Sequence, residues 1–114
     1  MALLSVSNIG VLDSKKITLG AVAAGGDTVA ATVGCFAIIK NGHAVNPRTI
    51  TFDCKNACNH GYDHNLVVTI PATEEWVTKK INPSWFNDAT TGVTSITYSD
   101  SGADVTLQVI NLQA

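Results

Sequence analysis

A chain of 114 residues is long enough for one domain with its own core and too short for two. Apolar residues make up an ordinary 46%, but charged residues only 14%, about half the usual share, and the formal net charge is −2. The seven basic residues are scattered apart from Lys15-Lys16 and Lys79-Lys80, so there is no basic stripe to bind nucleic acid. No run approaches the roughly 20 apolar residues of a membrane span. Met1 to Val6 lacks the charged start and apolar length of a secretion signal, and three cysteines do not form a secreted disulfide framework. The chain is therefore expected to be made in a cytoplasm. A surface this poor in charge must consist largely of Thr, Ser, Asn and small apolar groups, which suits protein–protein contact.

Residues 1–20 are weakly patterned and read as an N-terminal arm or a first strand, with Lys16 to Leu19 extended; a β-sandwich domain is expected over residues 21–114. Ala21 to Thr28 reads as a loop because of its small residues and Gly25-Gly26-Asp27. It lacks the spacing, the Lys-Ser/Thr pair and the following helix of a phosphate-binding loop. Val33 to Lys40 is nearly all apolar, as expected of a strand buried on both faces or central in a sandwich. Asn41-Gly42 ends it and Arg48 to Phe52 follows, with Ile50 and Phe52 on one face, which predicts a hairpin.

After the polar stretch 53–65, Leu66 to Ile70 reads as a strand stopped by Pro71. Glu74 to Ile81 suits a helical turn or a strand, of which the strand is favoured, and Trp85-Phe86 behind Pro83 reads as an aromatic plug at one end of the core. Thr94 to Tyr98 and Val105 to Val109 alternate cleanly and are expected to form a hairpin about Ser99-Asp100-Ser101-Gly102. With no sustained helical period, the class is all-β: a single-domain sandwich or jelly roll of about seven to eight short antiparallel strands.

One side-chain set has the composition of a metal site. Cys54, Cys58, His60 and His64 place two thiolates and two imidazoles in one loop, the donor types of a structural zinc. Against this, the three-residue gap between the cysteines and the closeness of His60 are unusual for zinc. A Cys54–Cys58 disulfide and an ordinary surface loop are the alternatives, while Cys35 reads as a buried core thiol. The same loop holds nucleophile and base residue types but no rigid pocket or oxyanion hole, and Glu74 and Glu75, as strand neighbours, face opposite ways. No catalytic residue and no cofactor other than that zinc is expected. Trp76, Trp85, Tyr62 and Tyr98 have the chemistry of a sugar-stacking platform, although the chain has only seven aromatics from which to build its core as well.

A set of segments in order carries a resemblance. Gly25-Gly26-Asp27, Phe36 to Gly42, Arg48 to Phe52, Val67 to Ala72, Trp85-Phe86-Asn87-Asp88, Val93 to Tyr98 and Val105 to Leu112 together resemble a family of small proteins that tailed bacteriophages encode beside the major capsid protein. These are capsid decoration, or cement, proteins. The resemblance covers about four-fifths of the chain through generic strands and turns, and the Cys/His loop and Trp76 are not features of that family. It implies a non-catalytic homotrimer on the virion surface, bound to the major capsid protein, with no nucleic-acid or membrane partner. A tail or head-fibre component would follow the same fold logic, and a carbohydrate- or cell-surface-binding sandwich is the alternative from a different class.

Overall fold

The computed structural model describes residues 2–4, 6–9, 19–31, 34–54, 65–79, 81, 83–88 and 90–112. Among them are ten strands: β1 (Ala2–Leu3), β2 (Val6–Ile9), β3 (Gly20–Ala21), β4 (Asp27–Val29), β5 (Cys35–Asn41), β6 (Arg48–Phe52), β7 (Leu66–Ile70), β8 (Glu75–Val77), β9 (Thr94–Tyr98) and β10 (Val105–Leu112). One helical turn, α1 (Pro83–Phe86), and one 3-10 turn (Ser99–Gly102) accompany them.

The strands form two sheets. The first runs β1-β4-β9-β6-β7, and the second β2-β10-β5-β8 with β3 also paired to β10. The class is all-β and sandwich-like. Pairing is antiparallel except where the N-terminal strands join: β1 lies parallel to β4, and β2 parallel to β10.

Alternation places the core between the sheets. Val29, Ile50, Phe52, Ile70 and Ile96 point inward from the first sheet, and Cys35, Ala37, Ile39, Val105, Leu107 and Val109 from the second. Burying each of the larger side chains contributes about 1.5–3 kcal/mol, and β-branched residues suit the pleated surface they come from. Among the described residues Phe52 is the largest side chain buried completely, and isoleucine and valine fill most of the rest of the described interior. Phe86 in α1 is buried, as the aromatic-plug reading expects; the Trp85 side chain lies outside what is described.

The connections depart from the sequence reading in two places. β5 and β6 are not a hairpin, because β5 belongs to the second sheet and β6 to the first. β9 and β10 also sit in different sheets, so the turn at Ser99–Gly102 carries the chain across the sandwich. Two further differences are local. The loop expected over 21–28 yields to strand pairing at both ends, with Ala21 opposite Thr106 and Asp27 opposite Ile96. The strand expected over 74–81 is regular only at Glu75–Val77, although the Thr78 and Ile81 N–H groups continue along β5 by donating to the Ala37 and Cys35 carbonyls.

Candidate functional site

Polar side chains in the interior are used as ties between elements. Asn41, fully buried, donates through Nδ2 to the Asn46 and Ile70 carbonyls, each at 3.0 Å, and accepts the His43 N–H on Oδ1 at 2.9 Å. It thereby fastens the β5–β6 crossover to β7. His43 Nδ1 accepts the N–H groups of Val45 and Asn46, which gives this imidazole a loop-capping role. Asn87 behaves as a strand surrogate for Ala31: its Oδ1 accepts the Ala31 N–H and its Nδ2 donates to the Ala31 carbonyl. Thr78 Oγ1 accepts the Ala37 N–H and donates to the Lys79 carbonyl.

Two ionisable clusters lie at one end of the sandwich. Arg48, mostly buried, donates through Nε to the Ala103 carbonyl and meets Asp100 at 3.2 Å and Asp104 at 3.8 Å. Both aspartates have positive φ, so the guanidinium holds a strained turn. Tyr98 donates its hydroxyl to Asp27 Oδ2 at 2.7 Å, and the Ala23 N–H donates to the same oxygen. Burial first, then the hydrogen bond to Asp27 and its charge, push the Tyr98 hydroxyl well above the ordinary tyrosine range. Asp27 Oδ1 is buried without a partner among the described residues. A single carboxylate oxygen does not make a metal site.

Of the four expected zinc donors, Cys54 is buried beside Phe52 within the central cluster; its N–H donates to Asn65 Oδ1. Cys58, His60 and His64 lie outside the described residues. Among the described residues no group of three or more His, Cys, Asp or Glu comes together to hold a metal ion. Cys35 is buried, as the core-thiol reading expects. Of the aromatic quartet, Tyr98 turns inward to Asp27, while Trp76 stands 41% exposed on β8 with its Nε1 donating to Glu74 Oε1. Tyr62 and the Trp85 side chain are outside the described residues. No described helix is long and apolar enough to cross a membrane.

The described strands also organise a surface. Strand alternation turns Leu3, Thr28, Ser95, Thr97, Thr49, Thr51, Val67 and Thr69 to the outer face of the first sheet, and none of them is charged. Register sets Thr28 beside Ser95, Thr51 beside both Thr97 and Val67, and Thr49 beside Thr69. Thr49 and Thr69 share a hydrogen bond at 3.2 Å. The result is a grid of hydroxyls and methyls, with Asp53 past the end of β6 as the nearest charge in its row. The second sheet differs: its outward positions include Lys40 opposite Glu75, next to Ile38 opposite Val77. Composition foretells a charge-poor surface, but only register shows that the described strands bring no charge to one face. No family model, curated protein or solved structure matches the chain.

Proposed function

We propose that this is a non-catalytic structural protein whose work is protein–protein contact, and that it serves as a capsid decoration protein on the outer shell of a tailed-phage particle. The observation that carries the reading is the outer face of the first sheet, where no described strand residue is charged. Docking such a face strips water from hydroxyls and methyls and not from ions, so it avoids the desolvation cost of burying unpaired charge. A rigid sandwich holds the face in shape, and repetition over a symmetric shell turns modest single contacts into firm attachment. The segment order that resembles the cement proteins selects the capsid as the partner.

The test is to purify phage particles from cells whose resident phage genome encodes this chain, identify the protein by mass spectrometry, and locate it by gold-labelled antibody. Label over the head surface supports the reading. Label on the tail or on fibres transfers the protein to another structural role, and absence from purified particles overturns it.

A further inference from the structure

We propose that two copies of this chain pair edge to edge through β7, joining their first sheets across a two-fold axis. The inference is independent of the capsid reading and needs no other partner.

β7 ends the first sheet, and no described strand lies beyond it. Exposed edges are usually made unattractive by charge, proline, a bulge or shortness. β7 uses none of these devices. All five of its residues, Leu66 to Ile70, pair in unbroken register with Arg48–Phe52, none is charged, and Pro71 comes only after the strand has ended. The other edges differ. β8 has three residues, one of them Glu75, with Glu74 before it and Lys79 just beyond; β1 has two residues; and β2, although uncharged, has four against the five of β7.

A second observation falls on the same side of the molecule. The chain passes from β7 to β8 through the short turn at Pro71–Glu74, and Asn41 binds both the Ile70 and the Glu74 carbonyls. The two strands therefore flank one lateral edge of the sandwich. Of the five large hydrophobic side chains exposed among the described residues, three are on these two strands: Val67 at 57%, Trp76 at 41% and Val77 at 64%.

The occupant that fits is a second copy. An antiparallel two-fold through Val68 sets Val67 of each copy opposite Thr69 of the other on the outer face, and Leu66 opposite Ile70 on the inner face. Every cross-strand pair is then aliphatic or aliphatic–hydroxyl. Two chains of the same net charge meet along a strand that carries no charge, and their threonine grids become one continuous surface.

Analytical ultracentrifugation of the full chain under reducing conditions, over a wide concentration range, tests the pairing. The expected species is a dimer of twice the 11.9 kDa chain mass. The double substitution Val67→Lys with Thr69→Lys sets ammonium groups against each other on both sides of the axis, and is expected to yield a monomer whose unfolding midpoint matches that of the wild type diluted until its dimer dissociates. Thr97→Lys, on the same outer face but on β9, is expected to stay dimeric. In the wild type, amide exchange across Leu66–Ile70 is expected to slow as concentration rises, a readout that needs no variant. A wild-type monomer, a trimer of the kind the cement resemblance implies, a dimer that survives the double substitution, or exchange indifferent to concentration each overturns the pairing.

Discussion

Replacing Asn41 by alanine tests whether buried amide ties, as well as apolar packing, hold the crossover between the sheets. The side chain is fully buried and makes three hydrogen bonds, two to carbonyls and one from an N–H. Truncation leaves the Ile70 carbonyl without this donor in the interior, at a cost of about 1–3 kcal/mol, and removes two bonds at the loop worth about 0.5–1.5 kcal/mol each. The sum, less the benefit of no longer burying an amide, is about 3–4 kcal/mol. Urea unfolding followed by tryptophan fluorescence reads this directly. With a slope of about 1.5 kcal/mol/M, the midpoint falls by about 2–2.7 M at unchanged slope. Asn41→Asp is expected to be worse still, because it keeps the acceptor for His43 but turns a second oxygen toward two carbonyls. A shift below about 0.7 M for alanine, or aspartate proving the more stable of the two, would refute the assignment of these bonds.

Tyr98→Phe removes the hydroxyl that Asp27 accepts and is expected to cost about 1.5–3 kcal/mol at neutral pH, measured by the same unfolding curves. The folded state holds this hydroxyl protonated above the ordinary tyrosine range, so its contribution is intact at neutral pH and is lost as pH rises beyond about 10, where the unfolded tyrosine ionises. Stability of the wild type should therefore fall more steeply above that pH than that of the Phe variant; parallel alkaline profiles would exclude the pair. Gly102→Ala meets two obstacles, a φ of +72° and a Val22 Cγ2 only 2.5 Å from the added carbon, and is expected to cost about 2–4 kcal/mol. Gly25→Ala is the control: nothing lies within 4 Å of the added carbon, and thermal unfolding should shift little or slightly upward.

Strands were legible in the sequence where alternation ran for five residues or more. Ile50 with Phe52, and Val105 with Leu107 and Val109, declare an inward face because period two admits no other side. What alternation does not encode is which sheet a strand joins. The Asn41-Gly42 and Ser99–Gly102 turns have the composition of hairpins, yet both carry the chain across the sandwich. In each case the deciding contact is remote: Asn41 reaching Ile70, and Arg48 reaching Ala103 and Asp100. Asp27–Val29 escaped notice because three residues are too few to show a period beside a Gly-Gly turn. The candidate surface was half legible. Composition foretells hydroxyls in place of charges, but their gathering on one face follows from the pairings of β4, β9, β6 and β7, which lie far apart in sequence.

The position of β10 bears on how the chain comes to be folded. Along one side it pairs with β5 over seven residues, Val105 to Asn111; along the other, β3 occupies its first part and β2 its second. Residues 6–9 and 20–21 thus find their places in the second sheet only against a strand made about a hundred residues later. During synthesis at roughly 5–20 residues per second, early segments must wait several seconds for that partner. The sheet then closes through contacts of high sequence separation, which are slow to form. Cutting the chain before Val105 would remove not one strand but the spine on which three others are ordered.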